Sequence, residues 1–164
     1  MTNTNRVAEL LGAHGIELAR HLRRMVRDDD VAQDLLQDTL LRAHRALTRL
    51  GPGANERAWL YRIATNAALN YLRDKARERR AMELHARERD ADEGGHANTD
   101  GAESRLALWQ RVADLPERQR VALTLRIADE LEYDEIAERM GCTEAAARAN
   151  VYQATKKLRL GGLP

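Results

Sequence analysis

Apolar residues recur at steps of three and four between Glu56 and Arg80, a spacing that places them on one face of a helix. They are Leu60, Ile63, Ala64, Ala67 and Tyr71. A second face of the same helix carries Trp59, Arg62, Asn66, Asn70 and Arg73. An aromatic ring, amides and guanidiniums can stack on bases, bond to base edges and neutralise phosphates, so this face is a candidate nucleic-acid surface. The alternative is a solvated basic helix whose Trp59 belongs to the core.

The positive charge of this helix is local. Between Arg57 and Arg80 the chain has seven Lys or Arg and two Asp or Glu, a net charge of +5, whereas the whole chain has a formal net charge of +1. Charge concentrated on one element favours an anionic partner at that element.

The composition predicts an all-α protein with aliphatic cores. Hydrophobic residues make up 43% of the 164 residues, aromatic residues only 4%, and there are three Pro and no Phe. No apolar window predicts a membrane span, and the N-terminal stretch has no apolar signal core. Cys142 is the only cysteine, so neither an intramolecular disulfide nor a cysteine-based zinc site is expected. We therefore expect a cytoplasmic protein without membrane insertion, cofactor or metal; His14 and His21 lack a third ligand.

A change in composition after Arg80 divides the chain into two small helical domains. The segment from Met82 to Ser104 has seven acidic and two basic residues, a net charge of −5, and almost no apolar residues. Such a composition predicts a flexible acidic linker. We therefore assign residues 1–80 and 105–164 to the two domains and residues 81–104 to the linker.

Two helices precede the aromatic and basic one. The first is predicted from Arg6 to Arg27, with a break near Gly12 or Gly15. The second is predicted from about Asp30 to Leu50, because the preceding acidic residues favour a helix N-terminus.

The second helix has an acidic face. Asp34, Gln37, Asp38 and Leu41 lie together there, away from the predicted buried stripe of this helix. An acidic face with a central Leu suits docking onto a basic partner helix. Solubility alone is the alternative explanation.

The second domain has the spacing of a helix-turn-helix. Helices are predicted at Glu117–Ala128, Tyr133–Met140 and Glu144–Leu160, after a short helix from about Arg105. Ala137 is small where two helices cross, Gly141 permits a sharp turn, and Ala147 packs the second helix on the first. Thr143 is a favourable N-cap for the last helix, whose N-terminal half would lie in a DNA major groove.

Four segments, in the same order, resemble bacterial RNA polymerase sigma factors of the extracytoplasmic-function (ECF) group of the sigma-70 family. DLLQDTLLRAHR (34–45) is similar to the family's DLVQETFLRAWR, and WLYRIATNAALNYL (59–72) is similar to WLYRIARNLALDHL. LPERQRVALTL (115–125) is similar to LPERQREVLLL, and YDEIAERMGCTEAAARANVYQATKKL (133–158) is similar to YEEIAEILGISEGTVKSRLHRARKKL. The resemblance implies a region 2 helical bundle, a linker, and a region 4 helix-turn-helix.

The resemblance also implies roles for the candidate residues. Core RNA polymerase would be bound through the coiled coil of its largest subunit by Asp34, Gln37, Asp38 and Leu41, and through its flap by region 4. The −10 promoter element would be bound by Asn55, Trp59, Arg62, Asn66 and Arg73, with Trp59 against the duplex and the loop 50–57 around a flipped base. The −35 element would be bound by Thr143, Arg148, Asn150, Tyr152, Gln153 and Lys156. Family members are usually held inactive by an anti-sigma factor, which makes one a further expected partner.

The last helix departs from the family pattern. Ala146, Ala147, Ala149, Asn150 and Gln153 stand where the family has Thr, Val, Ser, Arg and a further Arg. Each lost phosphate-contacting arginine makes binding less dependent on salt. This departure leaves three alternatives open: weaker −35 binding, an altered sequence preference, or dependence on a helper protein.

These features predict a promoter-specificity subunit without catalysis of its own. The alternative is a helix-turn-helix regulator that acts without polymerase, but such a regulator needs neither the DLLQD face nor the WLYR helix. An enzyme is disfavoured, because the chain has no HExxH, no glycine-rich phosphate loop and no GxSxG motif.

Overall fold

The computed structural model describes residues 3–89 and 100–161, which form seven α-helices, one short 3-10 turn and no strand. The helices are α1 (Asn3–Val26), α2 (Asp29–Ala46), α3 (Glu56–Arg89), α4 (Asp100–Ala113), α5 (Glu117–Ala128), α6 (Tyr133–Met140) and α7 (Glu144–Leu160), and the 3-10 turn (Leu47–Arg49) follows α2. The predicted all-α class is confirmed for these residues. None of these helices combines the length and the apolar content needed to cross a membrane.

Helices α1, α2 and α3, here the N-terminal helix group, surround an aliphatic core. Its most deeply buried side chains include Leu18, Leu22, Met25, Leu60, Leu69 and Leu72. Helix α1 continues through Gly12 and Gly15, so the predicted break is wrong. A glycine costs a helix only about 1 kcal/mol relative to alanine, and burial of the apolar face of α1 outweighs that cost.

Helix α2 begins where the acidic residues predict. Asp28 is its N-cap, and the Asp28 Oδ1 atom accepts a hydrogen bond from the Val31 backbone N–H at 3.1 Å. The helix ends at Ala46 rather than near Leu50, because the chain tightens into the 3-10 turn before the loop that contains Gly51 and Gly53. Its buried face carries Ala32, Thr39 and Ala43, which leaves the opposite face towards solvent.

Helix α3 is longer than predicted. It continues past Arg80 to Arg89, and the helix expected from Arg105 already begins at Asp100. The added turns of α3 are rich in Ala, Glu, Leu and Arg, which are good helix formers. The rest of the predicted linker, residues 90–99, lies outside the described residues, and the proposed domain boundaries remain a prediction.

Helices α5, α6 and α7 have the predicted bounds. Gly141 adopts the left-handed conformation, with φ of 62°, that ends α6. Thr143 Oγ1 accepts a hydrogen bond from the Ala146 backbone N–H at 3.2 Å. Ala137 and Ala147 are buried where the helices cross. The predicted helix-turn-helix is therefore present.

Helices α4 to α7, here the C-terminal helix group, pack on the N-terminal helix group. Helix α4 contacts α3, α5 contacts both α1 and α3, and α6 contacts α3. We call this packing the closed arrangement. It decides which of the predicted site residues are exposed.

Candidate polymerase-docking and DNA-binding surfaces

The acidic face of α2 is open to solvent. Asp34 and Gln37 are exposed, Asp38 is half-buried, and the apolar side chain of Leu41 is 57% exposed. The Asp38 carboxylate pairs with Arg42 at 2.8 Å, one turn along the same helix. The structure thus brings the four predicted docking residues together on one outer face, and Leu41 gives that face an apolar centre.

The predicted −10 face of α3 is partly covered by the C-terminal helix group: Trp59 is buried and Asn66 and Arg73 are half-buried, whereas Arg62 is 49% exposed. Asn66 Nδ2 donates to Glu117 Oε1 at 3.3 Å, and Arg62 Nε lies 3.6 Å from the same oxygen. Arg73 donates to Asp114 Oδ1 at 3.3 Å. These polar groups, which would contact DNA, therefore contact the carboxylates of Asp114, in the turn after α4, and of Glu117, the first residue of α5.

Trp59 lies beneath the same covering helices and is only 9% exposed. It lines a cavity of about 320 Å³ together with Val121 and Met140 from the C-terminal helix group. The single cysteine, Cys142, lines this cavity too, and burial raises the pKa of its thiol. In the closed arrangement Trp59 is therefore nearly inaccessible from solvent, although it borders a cavity.

Asn55 holds the start of α3. Its Oδ1 atom accepts a hydrogen bond from the Ala58 backbone N–H at 2.9 Å. Its amide also packs against Gly141 in the turn after α6. The approach is so close that a Cβ atom added to Gly141 would lie only 2.5 Å from Asn55 Nδ2. Asn55, near the C-terminal end of the loop 50–57, is therefore held to both α3 and the turn after α6.

The predicted −35 residues divide into two sets. Thr143, Arg148, Tyr152, Gln153 and Lys156 are exposed on α7. The Arg148 guanidinium lies 4.8 Å from the centre of the Tyr133 ring and donates to Glu144 at 2.6 Å. Asn150 is half-buried, donates to the Ala146 carbonyl at 2.9 Å, and lines the cavity beside Trp59. Asn150 therefore lies at the edge of the exposed α7 face.

A buried polar cluster that sequence reasoning missed joins α1 to the turn after α5. The His21 Nδ1 atom lies 2.5 Å from Asp129 Oδ2, and His21 Nε2 lies 3.0 Å from Thr65 Oγ1. The His21 and Asp129 side chains are 1% and 5% exposed, and Arg24 adds a bond to Asp129 at 3.1 Å. Since His21 and Asp129 are 108 positions apart, no local pattern could have paired them.

The pKa of Asp129 reflects this cluster. Burial raises the pKa of the carboxyl, but the hydrogen bonds and charges of His21 and Arg24 outweigh burial and bring the pKa below its ordinary value. The carboxylate is thus held ionised inside the contact.

Arg57 makes a further ionic contact between the two helix groups. Arg57 pairs with Glu17 at 2.8 Å within the N-terminal helix group and with Glu138 of α6 at 3.2 Å. Arg139 donates to the Tyr61 hydroxyl at 3.4 Å. Among the described residues, no group of three His, Cys, Asp or Glu is arranged to hold a metal ion.

Comparisons with known proteins identify the family. The model for "Sigma-70 region 2" matches residues 10–78, and the model for "Sigma-70, region 4" matches residues 105–158. The RNA polymerase sigma-H factor of Pseudomonas aeruginosa is 33% identical over 144 residues, which cover 82% of this chain and 75% of that protein. The ECF RNA polymerase sigma-E factor of Escherichia coli K12 is 32% identical over 151 residues, covering 87% and 78%.

Among solved structures, CnrH in complex with the cytosolic domain of CnrY has a TM-score of 0.49 and 25% identity, covering 96% of this chain and 87% of CnrH. The two family models together span both helix groups, and the two curated relatives align across them. The chain therefore belongs to the ECF RNA polymerase sigma factors, with sigma-70 region 2 in its N-terminal helix group and region 4 in its C-terminal helix group.

Proposed function

We propose that this chain confers promoter specificity on core RNA polymerase by docking through α2, binding the −10 element through α3 and binding the −35 element through α7. The observation that carries the proposal is the outer face of α2, where Leu41 is 57% exposed among Asp34, Gln37 and Asp38. A large apolar side chain ringed by polar groups is typical of a protein-binding surface. The acidic surroundings favour a basic partner such as the coiled coil of the largest polymerase subunit.

The −10 role is supported by the chemistry of the α3 face. Arg62 and Arg73 supply cations, Asn66 supplies an amide and Trp59 supplies a stacking surface. Capturing a flipped base costs a few kcal/mol for unstacking, which stacking and edge contacts can offset. The loop 50–57, fixed by Asn55 at its C-terminal end, would form the pocket.

The −35 role is supported by the exposed side of α7. Arg148, Tyr152 and Lys156 follow one another at four-residue steps, so they share a face one turn apart. Such a face can enter a major groove, with Arg148 near the N-terminal end of the helix. We propose the cytoplasm as the site of action and an anti-sigma factor as a further partner that would either cover the α2 face or wedge between the two regions.

Exchanging Asp38 for arginine tests the docking assignment. We expect Asp38→Arg to lower recovery of core RNA polymerase in a pull-down about tenfold, because a like charge then meets the basic partner. The control is Asp74→Arg, which reverses an exposed charge on α3 outside the docking face. Full recovery by Asp38→Arg would sink the assignment. If the native chain neither binds polymerase nor competes with another sigma factor, the polymerase-independent regulator becomes the better explanation.

Removing the Arg148 side chain tests the −35 assignment. We expect Arg148→Ala to reduce transcription from a duplex promoter about tenfold, since one good bidentate base contact contributes about 1–3 kcal/mol. Transcription from a template already melted at −10 should change little, because that template depends less on region 4. Unchanged activity on the duplex promoter would show that α7 does not read the −35 element.

A further inference from the structure

We propose that the cavity between the end of α1, helix α4 and the turn after α5, here the arginine cavity, binds a small organic phosphate of nucleotide size. The cavity has a volume of about 720 Å³, and it shares no lining residue with the proposed polymerase-docking and DNA-binding surfaces. The proposal therefore goes beyond the proposed function and does not depend on it.

The first support is the charge of the arginine cavity. Four arginines and two carboxylates line it, which gives the lining a formal net charge of +2. Two of the arginines already have carboxylate partners, since Arg23 pairs with Asp29 and Arg24 pairs with Asp129. The other two arginines are therefore the candidates for holding an anionic ligand.

These two arginines, Arg27 and Arg105, come from different helix groups and have no carboxylate partner among the described residues. Arg105 donates to the Met25 carbonyl at the end of α1, which fixes the position of its guanidinium. Burial, followed by the positive charge of Arg27, lowers the pKa of Arg105 below its ordinary value. Two guanidiniums close enough to repel each other favour an anion beside them, and phosphate oxygens can accept from guanidiniums in a bidentate way.

The second support is the backbone position of Arg27. It directly follows the last residue of α1, has a φ of 55°, and donates its backbone N–H to the Arg23 carbonyl at 2.8 Å. Glycine is the usual residue at such a helix end, because a side chain is disfavoured at positive φ. The helix dipole favours a cation there, but Arg23 and Arg24 in the last turn already supply two. An arginine at a strained position beside a cavity indicates a role for its guanidinium.

The third support is the apolar part of the lining, which sets the kind of ligand. It includes Leu108 and Trp109 of α4 and Ile127 of α5, and Ile127 is 41% exposed. Inorganic phosphate would leave this apolar surface in water, whereas an organic group attached to the phosphate would cover it. Sites for small molecules commonly have volumes of about 300–1,000 Å³, so the arginine cavity has room for a nucleotide.

The test removes the Arg27 guanidinium by a change that the backbone tolerates. Arg27→Gly deletes the cation and relieves the positive φ, so the thermal unfolding temperature should not fall. The matched control is Glu130→Gly. Glu130 also lines the arginine cavity, is exposed and has a φ of 55°, but its side chain is negative.

Binding is measured by isothermal titration calorimetry of the full-length protein with ATP and, separately, with inorganic pyrophosphate, both without divalent cations. The native chain should bind both probes and bind ATP more tightly, because only ATP has an organic group for the apolar lining. Arg27→Gly should weaken binding of both probes about tenfold, which is the effect of losing one charge-assisted contact. Glu130→Gly should bind both at least as tightly as the native chain does.

Three results would overturn the proposal. One is failure of the native chain to bind either probe at millimolar concentration, or equal affinities for the native chain and Arg27→Gly. Another is ATP binding no tighter than pyrophosphate binding, which would exclude an organic ligand. The last is displacement of ATP by an oligothymidine at equal phosphate concentration, which would assign the arginines to nucleic acid. The polymerase pull-down reports separately on the proposed function.

Discussion

Replacing Asp129 by alanine will destabilise the closed arrangement by about 3 kcal/mol, which lowers the ratio of closed to open chains roughly a hundredfold. The single change leaves His21 buried with its Nδ1 atom unpaired, and a buried polar group without a partner is costly. Arg24 loses its carboxylate partner as well. The expected result is separation of region 2 from region 4 without unfolding of either helix group.

The measurement is resonance energy transfer between labels on cysteines introduced at Ala13 of α1 and Ala145 of α7, both exposed, in a Cys142→Ser background. Transfer should fall in Asp129→Ala and fall less in Asp129→Asn, because the asparagine oxygen can still accept the His21 hydrogen bond. Unchanged transfer in Asp129→Ala would show that the cluster does not hold the regions together.

The pH dependence of this contact has a definite sign. The pKa of Asp129 is lowered in the folded chain, so its contribution is present above the ordinary pKa of an aspartate and is lost as pH falls through the lowered value. His21 and Arg24 bond directly to the carboxylate, and the Tyr61 hydroxyl lies near it. We expect the difference between the native chain and Asp129→Asn to shrink as pH falls below about pH 4, where the carboxylate becomes protonated. A difference that has already disappeared at pH 6 would contradict the assignment to Asp129.

Trp59→Ala will separate promoter opening from polymerase binding. Loss of one stacking contact costs about 1–3 kcal/mol, so the yield of open complexes should fall by up to about a hundredfold. Polymerase binding should be nearly unchanged, because Trp59 lies away from the acidic face of α2. Permanganate reactivity of melted thymines measures opening, and the pull-down measures binding.

The control for Trp59 is a variant on the other side of the same cavity. Met140→Ala removes packing from the cavity but has no proposed contact with DNA. It should leave promoter opening at the native level or above it, because it weakens the cover over α3. Equal losses of opening and polymerase binding in Trp59→Ala would mean that Trp59 is a core residue only.

Elements with local signals could be predicted from the sequence. Helix α7 begins at its N-cap Thr143, and α6 ends at Gly141, because a capping hydroxyl and a residue that tolerates positive φ act within one turn. The predicted end of α3, at Arg80, was wrong for a related reason. An average over Met82 to Ser104 is acidic and polar, but its first residues are helix formers and continue the helix.

The covering of the −10 face could not be predicted from local patterns. The sequence brings Trp59, Arg62, Asn66 and Arg73 together on one helix face, and the structure has them there. The contacts of Arg62, Asn66 and Arg73 with Asp114 and Glu117 depend on how two helix groups pack, and no helical spacing encodes a contact between residues 41 to 55 positions apart. The predicted roles of these residues in DNA binding remain predictions.

The exposed end of α3 also sets how far the two regions can travel apart. Residues 81–89 span about 13 Å as a helix and about 30 Å when extended. Every side chain from 81 to 88 is exposed, so no core contact holds this stretch helical, and short helical segments without packing are marginal in water. Unwinding it would add about 15 Å of reach at little cost in packing. The tail of α3 is thus a reserve of chain length that would let regions 2 and 4 move further apart than they are in the closed arrangement.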